Sequence, residues 1–178
     1  MLRDILRGTG VALVTPFKED NTIDFTALET LINFVIDGGV QYVVTLGTTG
    51  ETPTLSREEK LDVIQATFSA VAARVPVVIG IGGNNTQSLI KDIETFPVEK
   101  AVAILSASPY YNKPSQEGIF QHYKALASVT TKPILLYNVP GRTGSNISAA
   151  TTIRLANEVS NIAGTKEASG NMAQCMQI

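Results

Sequence analysis

The chain has 178 residues, 44% of them hydrophobic and 17% charged, enough apolar material for a sizeable core. A net charge of -2 and a pI near 5.4 supply no global attraction for nucleic acid or for an anionic membrane surface. One cysteine, Cys175, excludes an intrachain disulfide and suits a reducing cytoplasm; one histidine, His122, argues against zinc clusters. The opening "MLRDILRGTG" lacks a signal-peptide apolar core, and no apolar run approaches the ~18 residues that span a bilayer. A cytoplasmic protein is expected, with neither nucleic-acid nor membrane partners.

In chain order, short β-branched runs alternate with helical patterns. Strands are expected at 11–15, 42–46, 77–81, 101–105, 134–137 and 162–166. They are near-continuous apolar runs, as expected of strands covered on both faces. The first helix is expected from about Phe25 to Asp37, with Phe25, Leu28, Ile32 and Val35 on one stripe and glycines 38 and 39 after it. The second opens at Ser56 with Glu59 three residues on, a capping box, and runs to about Ala73. Further helices follow Thr86, Ser115 and Ser148. His122, in "IFQHYKALA", is expected on a solvated helix flank.

Strict β-α alternation argues a parallel α/β sheet. Periodicity alone does not separate a closed (β/α)₈ barrel from an open doubly wound sheet. The first βα turn, "TPFKEDNTID", has no dinucleotide glycine fingerprint, and "GIGGNN" at 80–85 opens no helix with GxGxxG or GK[ST]. The barrel is favoured. No low-complexity tract or linker divides the chain, so residues 1–178 read as one domain.

In parallel α/β folds the loops after the strands emerge at the carboxyl end, where barrels hold their active sites. "GTTGE" follows the second strand with Gly47, Thr48 and Thr49. "SPYYNKP" follows the fourth with Tyr110 and Tyr111. "YNVPGRTG" begins with Tyr137 at the end of the fifth and carries Arg142, and "GTKEASG" puts Lys166 at the end of the sixth. Each has a plain structural reading: a turn, an aromatic core pair, a strand-end tyrosine, a solvated arginine, a lysine that snorkels to the surface. Together they point to chemistry. A desolvated amine loses its charge more easily and, once neutral, attacks a carbonyl to form an imine that acts as an electron sink. A tyrosine hydroxyl in reach shuttles the protons, and clustered N–H groups and hydroxyls hold a carboxylate. The combination predicts a 2-oxo acid handled as its enamine.

The four motifs, in this order and spacing, resemble the dihydrodipicolinate synthase members of the pyruvate-dependent class I aldolase superfamily. The likeness runs from "GTGVALVTPF" to the last residues. The resemblance implies a (β/α)₈ barrel that condenses pyruvate with aspartate-4-semialdehyde on the diaminopimelate route to lysine. It implies no cofactor beyond a covalent imine of pyruvate on Lys166, and a homotetramer. By the same resemblance Tyr137 is the general acid/base and Thr48 relays between Tyr137 and Tyr111, the tyrosine supplied across a subunit interface. Thr49, with Gly47 and Thr48, holds the pyruvate carboxylate, and Arg142 grips that of the semialdehyde. The alternatives are a related lyase acting on N-acetylneuraminate, which usually reads "GSTGE" and lacks the arginine, and a non-catalytic barrel that binds a 2-oxo acid. Relatives inhibited by lysine imply a site at Asn84 and Tyr110, from which this chain departs with Arg57, Lys60 and Ser88. A whole barrel takes about 250 residues, so strands seven and eight and any C-terminal helices are expected to be absent. Residues 1–178 alone are expected to be inactive and prone to aggregate.

Overall fold

A computed structural model describes residues 2–178. Its elements are α1 (Leu2–Ile5), β1 (Gly10–Ala12), α2 (Phe25–Asp37), β2 (Tyr42–Thr45), α3 (Arg57–Val71), β3 (Val77–Gly80), α4 (Thr86–Thr95), β4 (Ala103–Ala107), α5 (Gln116–Ala127), β5 (Ile134–Asn138), α6 (Pro140–Thr143), α7 (Ala149–Glu158), β6 (Ile162–Glu167) and α8 (Met172–Cys175). All the expected strands and longer helices form, with ends displaced by up to two or three residues. The one-turn helices α1 and α6 were not foreseen, because a single turn carries too little periodicity to read, whereas α8 stands where the start of a sixth helix was expected after β6.

The chain groups into two compact units, Met1–Gly80 with Pro97–Ala103 and Ile81–Phe96 with Ile104–Ile178. In the first, β1, β2 and β3 pair in parallel, with Val11 opposite Val43 and Val44 opposite Val78. The strands lie close: a Cβ on Gly80 would overlap the Leu46 carbonyl oxygen, so only glycine fits there. Asp24 caps α2 by accepting from Ala27 N–H at 2.9 Å, and Leu28 and Ile32 bury the helix stripe while Phe25 lies half open. The expected capping box opens α3: Glu59 N–H donates to Ser56 Oγ at 3.2 Å and Ser56 N–H to Glu59 Oε2 at 2.7 Å. The helix ends at Val71 rather than near Ala73, because Ala72 and Ala73 take left-handed φ of 47° and 59°.

In the second unit β4, β5 and β6 pair in parallel. Asn85, Ser115 and Ser148 cap α4, α5 and α7. Helix α5 buries Ile119, Phe120, His122, Tyr123, Leu126 and Ala127, a face widened by its contacts with α4 and α7. His122 therefore corrects the expectation of a solvated flank. It is 4% exposed, its Nδ1 lies 2.8 Å from Thr86 Oγ1, and burial pushes its pKa down to about 4. Strand β6 is the second correction. Beyond Ile162 its residues are half-buried or exposed, with Ala163, Gly164 and Lys166 exposed, unlike the fully buried β3.

Candidate active site

In the first unit, β2 ends at Thr45 and the chain turns sharply. Leu46, though buried, takes φ of 54°, and Thr48–Gly50 forms a 3₁₀ turn. Two threonines that the sequence did not single out brace this turn. Thr15, after β1, donates through Oγ1 to Gly50 O at 2.7 Å, and Thr52 donates to Leu46 O at 2.6 Å and Gly47 O at 3.0 Å. Threonines are too common in loops for the pattern to have marked them. Gly47 is buried, while Thr48 and Thr49 are exposed at the carboxyl end of β2. The turn's own bonds run from Gly50 N–H to Gly47 O and from Glu51 N–H to Thr48 O. The N–H groups of Thr48 and Thr49 take no part in those two bonds.

In the second unit, Tyr137 and Lys166 come together. They are register partners on β5 and β6, and Lys166 Nζ lies 4.3 Å from the centre of the Tyr137 ring, a cation–π distance. Tyr137 is buried at 7% exposure. Among the described residues Lys166 is exposed rather than held in an apolar pocket as expected, on a strand whose one partner there is β5. Behind the pair stands a polar cluster that sequence reasoning missed. Asn138 Nδ2 donates to both oxygens of Glu167, at 3.1 and 2.9 Å, and Ser169 N–H and Gln174 Nε2 also donate to that carboxylate. Burial raises the Glu167 carboxyl, but the hydrogen bonds from Asn138, Ser169 and Gln174 outweigh it and set its pKa below the ordinary value. The available signal was adjacency, since Asn138 follows Tyr137 and Glu167 follows Lys166.

The remaining residues stand on two neighbouring loops of this unit. Tyr111 N–H donates to Thr143 O at 3.2 Å, tying its loop to α6, which presents Arg142 to solvent. Tyr111 is 86% exposed and takes φ of 67°, and Lys113 takes 49°, both strained for non-glycine residues. Neither tyrosine is a core residue, since Tyr110 is half-buried. Asn112 joins Tyr110 to Asn84, donating from N–H to Tyr110 O at 2.7 Å and from Nδ2 to Asn84 O at 3.3 Å. Among the described residues no cluster of three or more His, Cys, Asp or Glu is placed to hold a metal, and no helix is long and apolar enough to cross a membrane.

A family model, the Dihydrodipicolinate synthetase family, matches residues 5–178. The chain belongs to the dihydrodipicolinate synthetase family. It is 54% identical over 169 residues to 4-hydroxy-tetrahydrodipicolinate synthase of Parabacteroides distasonis, covering 95% of this chain and 57% of that protein. Among solved structures it is similar to the chloride-inhibited dihydrodipicolinate synthase of Acinetobacter baumannii complexed with pyruvate. That likeness has a TM-score of 0.91 at 43% identity, over 95% of this chain and 58% of the other. It is likewise similar to the enzyme of Cyanidioschyzon merolae with lysine bound, at a TM-score of 0.90 and 38% identity, over 96% of this chain and 59% of the other. The chain thus spans under two thirds of the length of the family members it matches, and its strand–helix units follow the truncated (β/α)₈ barrel expected from the sequence.

Proposed function

We propose that the protein carrying this chain is a 4-hydroxy-tetrahydrodipicolinate synthase that condenses pyruvate with aspartate-4-semialdehyde through an imine on Lys166, serving lysine and diaminopimelate biosynthesis. The observation that carries this reading is the apposition of Lys166 and Tyr137 across β5 and β6, in a chain of this family. In its neutral form the Lys166 amine adds to the 2-oxo carbon of pyruvate and water leaves. The resulting imine loses a methyl proton to become an enamine, whose carbon attacks the aldehyde. The amino group of the second substrate then closes the ring on the imine carbon and returns the amine to Lys166. Tyr137 passes the protons of imine formation and cyclisation, with Thr48 as relay to Tyr111. No cofactor enters this sequence.

Thr49, with Gly47 and Thr48, is assigned to the pyruvate carboxylate, and the braced 3₁₀ turn supports that role. Arg142 is assigned to the carboxylate of the semialdehyde, because a guanidinium fork grips a carboxylate in two places. Exposed Tyr111 on a strained loop supports its place at a subunit interface of a homotetramer, and Asn84 with Tyr110 is assigned to lysine recognition. Arg142 and the "GTTGE" turn favour this reading over an N-acetylneuraminate lyase. The protein is assigned to the cytoplasm.

Borohydride reduction in the presence of pyruvate tests the central step. The expected result is one pyruvate-derived mass on the peptide that contains Lys166, found by mass spectrometry of the full-length protein. An adduct on Lys113 or Lys132 instead, or none, overturns the assignment.

A further inference from the structure

The pairing of β5 with β6 contains an irregularity. Ile134 lies opposite Ile162, yet Leu135 lies opposite Gly164, so Ala163 is an extra residue in the ladder. Side chains alternate between faces, and a one-residue slip moves each of them to the other face. Without the extra residue Lys166 would stand opposite Asn138, turned away from Tyr137. With it, Lys166 stands opposite Tyr137 and Glu167 opposite Asn138. Around the irregularity the strand offers little side chain to grip, since Ala163 and Gly164 are small.

The grip comes from the step after it. Asn138, 1% exposed, is held by three bonds besides those to Glu167. Its Oδ1 accepts from Ile147 N–H at 2.9 Å, its Nδ2 donates to Asn146 Oδ1 at 2.8 Å, and its carbonyl accepts from Ala168 N–H at 2.8 Å. Glu167 meets donors from Asn138, Ser169 and Gln174, and Gln174 Nε2 also donates to Ile147 O at 3.1 Å. In the slipped register the amine of Lys166 would meet the amide of Asn138 and the carboxylate would lose its donor on β5.

We propose that Asn138 and Glu167 are positioning residues: their cross-strand hydrogen bond locks β6 in the shifted register and so keeps the amine of Lys166 on the same face as Tyr137. This rests on the Schiff-base reading above for its effect on chemistry, but the register itself does not.

The test uses the full-length protein and four variants, Glu167→Gln, Asn138→Asp with Glu167→Gln, Tyr137→Phe, and Tyr137→Phe with Glu167→Gln. Glu167→Gln replaces one carboxylate oxygen by an NH2 group, which then faces the amide of Asn138 or the donors of Ser169 and Gln174, and the paired exchange offers that new donor an acceptor at position 138. Glu167→Gln is expected to slow pyruvate trapping at Lys166 roughly tenfold to hundredfold, the scale of an ångström's misplacement. The paired exchange recovers part of that loss. In the Tyr137→Phe background Glu167→Gln adds little, because the apposition it protects is already idle. Losses that multiply in full, or trapping unchanged by Glu167→Gln, overturn the proposal. A crystal structure of Glu167→Gln decides independently: loss of the Tyr137–Lys166 pairing supports it and an unchanged register overturns it. Failure of the unaltered protein to trap pyruvate removes the Schiff-base reading and leaves that structural result to decide the register.

Discussion

Strands β5 and β6 are neighbours of similar length that each deliver one half of the reactive pair, yet they are held in different ways. In β5, Ile134, Leu136, Tyr137 and Asn138 are all buried, and the strand is paired on both sides, to β4 and β6. In β6 only Ile162 is buried. Among the described residues β6 pairs with β5 alone, and its side chains past Ile162 are small or polar. Apolar burial positions Tyr137; hydrogen bonds from Asn138, Ser169 and Gln174 to Glu167 position Lys166. Polar contacts are directional where apolar ones are not, and direction is what a strand with a shifted register needs.

The largest expected effect tests the apolar half. Leu136 is 1% exposed, and Leu136→Ala removes buried methyl groups that β5 cannot close over, at a cost of about 2–5 kcal/mol. Chemical denaturation of the full-length protein measures it. A loss below about 1 kcal/mol, within the range of a surface change, would mean that β5 is held no differently from β6.

The same contrast explains what was legible in the sequence. β5 and β3 were readable because runs such as "ILLY" and "VVIG" are apolar whichever face each residue takes. β6 was readable as a strand but not as an exposed one, since burial depends on what lies against a strand and "IAGTKE" does not record that. The motif residues were legible one at a time, and the structure brings Tyr137 and Lys166 into contact. The Asn138–Glu167 clamp and the Thr15 and Thr52 braces escaped because they are through-space bonds between common polar residues. His122 was misplaced because the helix pattern underestimated how much of α5 is covered, a matter of α4 and α7 rather than of α5 itself.

Burial also predicts where acid acts. Between pH 6.5 and about 4 the folded chain keeps His122 neutral while the unfolded chain protonates it. The unfolded state then binds more protons, so stability rises with pH across that window. The contribution is fully present above pH 6.5 and is lost as pH falls toward 4. At about 1.4 kcal/mol per pH unit, the loss approaches roughly 3 kcal/mol. Unfolding free energies followed across that window, for the protein and for His122→Gln, read the difference between their slopes. Equal slopes would show that His122 is as open to water as the residues of β6.

The smallest expected effect sharpens the comparison most. Lys166→Ala removes the residue on which the proposed chemistry depends, and trapping of pyruvate should disappear. Its effect on stability should be slight, for reasons visible in the structure. Among the described residues the side chain is exposed, so its truncation opens no cavity among them. Its contact with the Tyr137 ring, at 4.3 Å, is a cation–π interaction at an exposed site, worth about 0.5–1 kcal/mol. The register of β6 is carried by Glu167 on the other face, and Lys166→Ala leaves that clamp untouched. Denaturation midpoints for Lys166→Ala should therefore lie close to those of the unaltered protein and far above those of Leu136→Ala. A loss matching that of Leu136→Ala would place Lys166 in the apolar support of the fold, and the division between an apolar β5 and a polar-clamped β6 would fall.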